Sequence, residues 1–369
     1  MIGGLASAAC GTSSSSPCES QGLAVIPADP NSGRYLHLEN FGVGPARLLA
    51  WQSAYIRVDP VGSWATVTHL WHIDVDRTVI EWAGMPTPCF PGCQNETKLS
   101  AIAVDADRVA LGWAWTPSFL DYRVGVSVWQ PTGSSFWELP SPSPYPRAVP
   151  EYERVGWGND VVLATWFDTN DADFQRPNLV MGAFTTDGAP VGAPVLVVEA
   201  VDTVAAGNNH RLRIVATGAT DPMAHVIVQM DSNTVSLLPV SEGPTLGVAQ
   251  TLGEPGDRFV DAVAGPDGPE VAVCRDSDLI VIAGADSWRV PQGCFDAPRL
   301  TARLAILDGV RWVSWTEDDV TRFARLGDVT ETFECEIPAA SSVFARLDGT
   351  STIEWLDGLT LRALALDEL

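Results

Sequence analysis

Residues 152–199 contain the pattern that decides the fold. They begin YERVGW, pass through the turn GND at 158–160 and continue as VVLATW to Trp166. After a loop they read NLVMGAFT (178–185), the turn TDG and PVLVVE (194–199). Asn, Asp and Gly tolerate the positive φ of hairpin turns, and the runs between them alternate as strands do. The stretch therefore predicts four antiparallel strands joined by turns and one variable loop.

The same pattern recurs seven times along the chain. Its second strands read RLLAW (47–51), RVALGWAW (108–115), VVLATW (161–166), RLRIVAT (211–217), EVAVC (270–274), VRWVSW (310–315) and TIEW (352–355). Six intervals separate Trp51 from Trp355, and their mean length is roughly 50 residues, which matches a four-stranded propeller blade. The repeat predicts an all-β chain that forms a single β-propeller of seven four-stranded blades.

The strand RVALGWAW indicates how these strands are covered. Val109, Leu111 and Trp113 point one way, whereas Ala110 and Gly112 point the other. Both faces are apolar, as expected when blades stack around a central channel. A β-sandwich would show polar residues at every second position. The sandwich stays open as an alternative, because strands alone do not reveal ring closure.

The last repeat is one strand short, since only LTLRALAL (359–366) follows TIEW. The segment GLAVIP (Gly22–Pro27) precedes the first repeat and has no partner there. Pairing the two would cover two exposed strand edges at once. We expect a closing N-terminal strand and one propeller domain over 22–369. The alternative is that Gly22–Pro27 belongs to a disordered leader.

Residues 1–21 differ from the repeats and form a separate segment. MIGGLASAAC contains Leu5, Ala8, Ala9 and Cys10 in an order that resembles the end of a bacterial lipoprotein signal peptide. Ser7 stands where Leu is usual, and the nine residues before Cys10 include no basic residue, unlike a complete signal. The resemblance implies export and a lipid on Cys10, followed by a flexible Gly/Ser-rich tether. The alternative is a terminus without a targeting role.

The repeats themselves resemble the divergent repeat propellers of envelope lipoproteins from high-GC bacteria. The resemblance covers nearly the whole chain, but its motifs are structural and specify no ligand. It implies that the protein lies in the cell envelope and touches the membrane only through a lipid anchor.

The sequence contains seven cysteines, and six remain if Cys10 carries lipid. An even number of cysteines suits disulfide bonds in an exported protein. Cys89 and Cys93 enclose Phe-Pro-Gly, which suits a type II turn, and they form the best-supported bridge. A zinc site is the competing interpretation of this pair. Cys274 ends a second strand and Cys294 follows a fourth strand, so both should lie on one propeller face. Cys18 and Cys335 pair only by elimination.

The net charge of −24, from 46 acidic and 22 basic residues, argues against a nucleic-acid partner. The acids concentrate in the loops expected between second and third strands, which all emerge on one face. These loops are 52–63, 116–121, 167–177, 218–224, 275–278, 316–319 and 356–358. The candidate ligand-binding residues are Asp121, Asp168, Asp171, Asp173, Asp276, Asp278, Glu317, Asp318 and Asp319. Acidic loops in an acidic protein are the alternative explanation.

One loop has oxygen ligands at short spacing. DTNDAD places Asp168, Asn170, Asp171 and Asp173 where they can hold Ca²⁺. The loop lacks the residue order and the distal Glu of an EF-hand, so a solvated loop is the alternative. No other cofactor is expected.

The motifs of common enzyme classes are absent from the sequence, including GxSxG, HExxH and the Walker loop. We therefore expect a non-enzymatic, lipid-tethered scaffold that binds a protein or a glycan of the cell envelope on its acidic loop face. The alternative is a glycan-cleaving hydrolase that uses two loop carboxylates, whose separation would decide the chemistry.

The first testable prediction is that Cys89 and Cys93 form a disulfide, with Cα atoms within about 7 Å of each other. Intact-mass measurement with and without reductant, followed by peptide mapping, tests this pair. Two free thiols at these positions in protein purified under oxidising conditions would contradict both the disulfide and the predicted export of the protein.

Overall fold

The computed structural model describes most of the chain, and the statements below concern the described residues only. These are 21–27, 33–41, 47–57, 64–73, 78–81, 97–105, 108–118, 121–130, 133–140, 154–168, 178–199, 211–219, 221–230, 234–294, 302–317, 320–327, 330–338, 342–347, 350–357 and 359–366. Their regular elements are β-strands.

The described strands form seven antiparallel sheets in chain order, which we call blades 1 to 7. Blade 1 consists of β2 (Gly33–Phe41), β3 (Arg47–Arg57), β4 (Trp64–Ile73) and β5 (Val79–Glu81); blade 2 of β6 (Thr97–Asp105), β7 (Arg108–Ser118), β8 (Asp121–Gln130) and β9 (Gly133–Glu138); and blade 3 of β10 (Val155–Gly158), β11 (Val161–Asp168), β12 (Asn178–Phe184) and β13 (Val195–Val198).

The remaining four sheets continue the series. Blade 4 consists of β14 (Arg211–Ala216), β15 (Ala224–Met230), β16 (Thr234–Ser241), β17 (Thr245–Leu246) and β18 (Gln250–Leu252); blade 5 of β19 (Arg258–Gly265), β20 (Gly268–Arg275), β21 (Asp278–Ala283) and β22 (Asp286–Val290); blade 6 of β23 (Arg303–Leu307), β24 (Val310–Glu317), β25 (Val320–Leu326) and β26 (Glu331–Pro338); and blade 7 of β27 (Ser342–Leu347), β28 (Thr350–Asp357), β29 (Thr360–Ala365) and β1 (Gln21–Val25).

The first strands of the blades contact one another in a closed ring. The contacts run from β2 to β6, β10, β14, β19, β23 and β27, and from β27 back to β2. In blades 1 to 6 the other strands follow outward in chain order, and in blade 7 the outermost strand is β1. A ring of radially arranged meanders is the architecture of a β-propeller, so the predicted fold class is confirmed.

Polar contacts between neighbouring first strands show that these strands run in the same direction. Arg154 Nε donates to the carbonyl of Leu212 over 3.3 Å, which joins the starts of the first strands of blades 3 and 4. In blade 5, Asp261 lies 3.3 Å from Arg213 of blade 4 and accepts a hydrogen bond from Leu304 N of blade 6. One buried carboxylate therefore connects the inner strands of three blades.

The propeller has two distinct faces. On one, which we call the loop face, first strands begin, second strands end and third strands begin. On the other, the hairpin face, two-residue turns join first to second strands, as at Asn159–Asp160 and Asp308–Gly309. Asn159, Asp308 and Gly309 have positive φ angles of 54°, 52° and 78°. The Asn, Asp and Gly residues of the repeat are therefore used as hairpin turns, as the sequence predicts.

Hydrophobic clusters lie between successive blades and bury both faces of the second strands. In blade 3, Val162 and Trp166 pack toward blade 2, whereas Leu163 and Phe167 pack toward blade 4. The same alternation occurs in blade 5, and further clusters join blades 4 to 5, 5 to 6 and 6 to 7. Burying each large apolar side chain contributes about 1.5–3 kcal/mol, so the stacking of blades is the main stabilising term.

A buried charge pair adds to this packing near the hairpin face. Arg311 of blade 6 makes two hydrogen bonds of 2.6 and 2.7 Å to Glu270 of blade 5. Its guanidinium also lies 4.3 Å from the ring centre of Trp288. Because the carboxylate is buried, its pairing with a planar guanidinium avoids the cost of an isolated buried charge.

Blade 4 corrects one part of the sequence interpretation. RLRIVAT was expected to be a second strand, but β14 is the first strand of its sheet and contacts β10 and β19. Residues 217–223 therefore join first to second strands and lie on the hairpin face. The second-to-third connection of blade 4 is instead 231–233, so Asp221 does not belong to the loop face.

The N-terminal strand closes the ring, as the sequence predicts. β1 pairs antiparallel with β29, from Gln21 opposite Ala363 to Val25 opposite Thr360. Ile26 N then donates to the carbonyl of Leu359 over 2.8 Å, and the Ile26 side chain is fully buried. Blade 7 thus combines three strands from the end of the described chain with one from its beginning.

This closure predicts different effects for two neighbouring side chains. Ile26→Ala should lower the free energy of unfolding by about 2–5 kcal/mol, because it leaves a cavity in the closing strand. Val25→Ala should have little effect, since Val25 is 66% exposed. Urea denaturation of both variants measures the difference.

Truncation tests the same closure. Removal of residues 1–19 should leave the melting temperature unchanged, whereas removal of residues 1–27 exposes the edge of β29 and should lower it strongly. Equal melting temperatures for the two truncated proteins would contradict a closing role for β1.

Candidate functional site

The loop face collects the acidic ends of strands from several blades. β8 begins at Asp121, β11 ends at Asp168, β24 ends at Glu317, and the turn between β20 and β21 contains Asp276 and ends at Asp278. These positions belong to blades 2, 3, 5 and 6. The other predicted residues, Asn170, Asp171, Asp173, Asp318 and Asp319, lie outside the described residues.

Asp278 has a structural role at this turn. Its carboxylate accepts a hydrogen bond from Gln292 N over 3.0 Å and pairs with Arg289 of the outer strand β22. The hydrogen bond from Gln292 and the neighbouring Arg289 lower the pKa of Asp278 despite its partial burial. The carboxylate therefore holds the segment after β22 against the start of β21.

Asp276 differs from Asp278 although only one residue separates them. Its side chain is exposed at the tip of the turn, and its backbone has a φ of 53°, which Asp tolerates better than most residues. Among the predicted ligand-binding residues with a described side chain, Asp276 is the one that faces solvent.

A second charge cluster, which we call the Arg275 clamp, lies beside the turn. Arg275 makes two hydrogen bonds of 2.8 Å to Asp257 and one of 2.7 Å to Glu254. Asp257 is 1% exposed and also accepts from Glu254 N over 2.7 Å. Gln229 completes the cluster by bonding the carbonyl of Asp257 and the amide of Phe259.

The pKa of Asp257 reflects these contacts. Burial disfavours the charged carboxylate, but the hydrogen bonds from Arg275 and from Glu254 N outweigh this effect and lower its pKa. The clamp fixes the connection from blade 4 to blade 5 over the end of β20. Sequence reasoning gave no signal for it, because its members come from three separate segments.

A disulfide lies next to the clamp on the loop face. Cys274 at the end of β20 is bonded to Cys294 after β22, with Cα atoms 5.7 Å apart. Cys294 N also donates to the carbonyl of Ser277 over 2.8 Å. The predicted Cys274–Cys294 bridge is confirmed. Cys10, Cys18, Cys89 and Cys93 lie outside the described residues.

The proposed calcium loop is described only at its first position, where Asp168 ends β11. Within the described ranges, no cluster of three or more His, Cys, Asp or Glu side chains is arranged to hold a metal ion. The calcium assignment to Asp168, Asn170, Asp171 and Asp173 stays a prediction.

Basic residues occur at the starts of the innermost strands, at the loop-face end of the blades. The innermost strands begin here, and six of them carry a basic residue at or beside their first position. These residues are Arg34, Lys98, Arg154, Arg211, Arg258 and Arg303, which we call the basic collar. The seventh described inner strand begins at Ser342. Sequence reasoning missed this set, because only the topology shows which strands surround the channel.

Comparison with known proteins gives structural neighbours. No protein-family model matches the chain, and no curated protein sequence matches it. The selenomethionine-substituted virginiamycin B lyase from Staphylococcus aureus is 12% identical, with a TM-score of 0.52 over 94% of this chain and 99% of that chain. One of two prolyl endopeptidases analysed for inter-domain dynamics is 10% identical, with a TM-score of 0.53 over 91% of this chain and 51% of that chain.

A third neighbour is the β-propeller domain of the Trilobed protease from Pyrococcus furiosus, which is 12% identical with a TM-score of 0.49 over 90% of this chain and 94% of that chain. The closed ring of inner strands makes the fold of the described residues a β-propeller. At these identities the likeness shows the fold alone. The described part of the chain contains no helix that is long and apolar enough to cross a membrane.

Replacing an aspartate of the clamp and replacing the aspartate of the exposed turn should have effects of different size on the free energy of unfolding. Asp257→Asn should lower the free energy of unfolding by about 2–3 kcal/mol, because it breaks charge-assisted hydrogen bonds. Asp276→Asn removes the same charge from an exposed side chain and should change stability by less than about 0.5 kcal/mol.

The pH dependence of this difference follows from the lowered pKa of Asp257. The carboxylate stabilises the fold above its unfolded pKa of about 4, and this contribution disappears as the pH falls through the lower folded value. The gap between the parent protein and Asp257→Asn should therefore shrink below about pH 4. Urea titrations across this range measure it, and an equal loss for Asp276→Asn would contradict the assignment.

Proposed function

We propose that this protein is a non-enzymatic binding propeller of the cell envelope that takes a protein or glycan partner on its loop face. The observation that carries the proposal is the position of acidic residues at strand ends and turns on that face in blades 2, 3, 5 and 6. They include Asp121, Asp168, Asp276 and Glu317. A rigid scaffold that presents side chains from several blades suits recognition of a large partner.

The described contacts divide the acidic side chains into two groups. Asp278 and Asp357 are engaged by Arg289 and Arg362, so their charges support the fold. Asp276 projects from a turn that the disulfide and the Arg275 clamp hold in place. An exposed acid on a fixed turn loses little conformational entropy on binding, which favours its use as a contact.

The proposed location combines two observations. The order Leu5, Ala8, Ala9 and Cys10 resembles a lipoprotein signal, and the Cys274–Cys294 disulfide suits an oxidising compartment. We propose that Cys10 carries a lipid that anchors the exported propeller. Metabolic labelling with a fatty-acid analogue in a bacterial host, with Cys10→Ser as the control, tests the anchor.

A quadruple variant tests the loop face. Asp168, Asp171, Asp173 and Asp318 should repel one another, and a bound cation or basic partner relieves that repulsion. Replacing the four by Asn should leave stability unchanged or slightly higher, while weakening partner capture from native envelope or thermal stabilisation by calcium.

The hairpin face offers a control of equal charge. Asp160→Asn, Asp267→Asn, Asp286→Asn and Glu242→Gln remove four exposed acids from turns on that face, and they should leave capture intact. If the loop-face variant keeps its partners and calcium gives no shift in the parent protein, this face is not the binding site. Release of reducing ends from envelope glycans by the parent would favour a hydrolase instead.

A further inference from the structure

The Cys274–Cys294 disulfide is enclosed by the folded blades. The two cysteines are 1% and 3% exposed, and both belong to the hydrophobic cluster between blades 5 and 6. Along β20, Ala272 and Cys274 alternate with Val271 and Val273, which pack toward blade 4, so Cys274 points toward blade 6. Thiol–disulfide exchange requires attack on an accessible sulfur atom. The docked blades therefore shield this bond from both reductants and oxidants.

Blade 6 supplies part of the cover. Trp315 of β24 and Leu304 of β23 are each 4% exposed and pack in the same cluster as the two cysteines. Both strands follow Cys294 in the sequence. In a chain that emerges with its N-terminus first, Cys274 and Cys294 are therefore present before residues 303–338 can form blade 6.

The contacts that bring the two cysteines together are local to blade 5. Cys274 lies opposite Leu279, and Leu279 lies opposite Val290, so β20, β21 and β22 form a meander with short connections. After β22 the chain turns back, and Cys294 N donates to the carbonyl of Ser277 over 2.8 Å. Local contacts of this kind have a small loop-closure cost and form early. Blade 5 can therefore align the two thiols without help from blade 6.

We propose that Cys274 and Cys294 are oxidised on the partly folded chain, after the blade 5 meander forms and before blade 6 docks. The oxidant is a partner protein that carries a reactive disulfide. Docking of blade 6 then protects the new bond from reduction. This interaction goes beyond the proposed function, because it concerns how the loop-face end of blade 5 is assembled and not what the finished face binds.

The exchange has two steps. The thiolate of one cysteine attacks a sulfur atom of the partner's disulfide, which forms a mixed disulfide and releases one partner thiolate. The thiolate of the other cysteine then attacks the first cysteine's sulfur, forms the Cys274–Cys294 bond and releases the second partner thiolate. Two electrons pass to the partner, which becomes a dithiol, and its thiolates take up the two protons that the cysteine thiols lose.

Oxidation kinetics test the order of events. The reduced, urea-unfolded chain is diluted directly into buffer with oxidised glutathione, or it is first refolded in reductant, which is removed before the same oxidant is added. The Cys274–Cys294 bond should form at least about tenfold faster in the first case, because oxidation of the folded chain must wait for local opening. Alkylation and peptide mapping measure this pair separately from the other five cysteines.

Both outcomes of refolding are decisive. If circular dichroism shows that the reduced chain cannot refold, oxidation necessarily precedes the complete fold, as proposed. If the reduced chain refolds and is then oxidised as fast as the unfolded chain, the proposed order is wrong.

Two tryptophan variants test the protection by blade 6. Trp315 and Trp355 are both 4% exposed and both lie two residues before the end of a second strand, but Trp355 packs between blades 6 and 7. Native Trp315→Ala should lose the disulfide to dithiothreitol at least about tenfold faster than native Trp355→Ala, because only the first change uncovers the sulfur atoms. Trp315→Phe and Trp355→Phe form a milder pair if the Ala variants do not fold. Equal rates within a folded pair, or reduction of the native parent as fast as the unfolded chain, would contradict the protection.

A trapping variant tests the partner. In a bacterial host that exports the chain, Cys294→Ser should accumulate a mixed disulfide between Cys274 and the oxidant, because the second attack is removed. The double variant Cys274→Ser with Cys294→Ser is the control, and it should lack this adduct. An adduct that is absent from the single variant, or equally abundant in the double variant, would overturn the role of the partner. Capture of ligands on the loop face does not enter this measurement, so the proposed function and this proposal can fail separately.

Discussion

Pairing between β1 and β29 is the constraint on which the rest of the propeller depends. Each blade buries its two faces against its neighbours, so none is stable by itself, and the stack is complete only when the ring is closed. Without β1, the edge of β29 would lose its hydrogen-bond partners and Ile26 would leave the core. The pairing also spans almost the whole chain, which makes closure the most non-local step of folding.

Polar interactions reinforce the ring unevenly. Blades 4 to 6 are connected by Asp261 between inner strands, by the Arg275 clamp on the loop face and by the Glu270–Arg311 pair near the hairpin face. The disulfide closes the loop-face end of blade 5. The exposed turn at Asp276 therefore sits on the best-braced part of the described structure, and such bracing keeps a recognition surface in one conformation.

Much of the fold could be predicted from the sequence because the repeat carries local signals. The tryptophans at 166, 315 and 355 mark second strands, and Asp308–Gly309 forms the expected hairpin turn. Blade 4 misled the interpretation, because GNNH before Arg211 resembles a hairpin turn while the real first connection at 217–223 is longer. Strand order depends on which neighbours supply partners, and no local pattern encodes that choice.

The candidate site was predictable to a smaller extent. The pairing of Cys274 with Cys294 follows from strand direction alone, whereas the role of Asp278 depends on Arg289 and Gln292, which the outer strand delivers. The collar was visible in the sequence as single basic residues, but these acquire meaning only when the inner strands are known. Whether a charged side chain supports the fold or is exposed to solvent depends on partners that lie far away in the sequence, and composition does not reveal these partners.

The direction of β1 has a consequence for how the propeller is presented. Gln21 lies opposite Ala363, at the hairpin-face end of blade 7, and Val25 lies toward the loop face. The described chain therefore begins at the hairpin-face end of blade 7. A lipid on Cys10 would tether the propeller from that end and leave the loop face on the side opposite the attachment point.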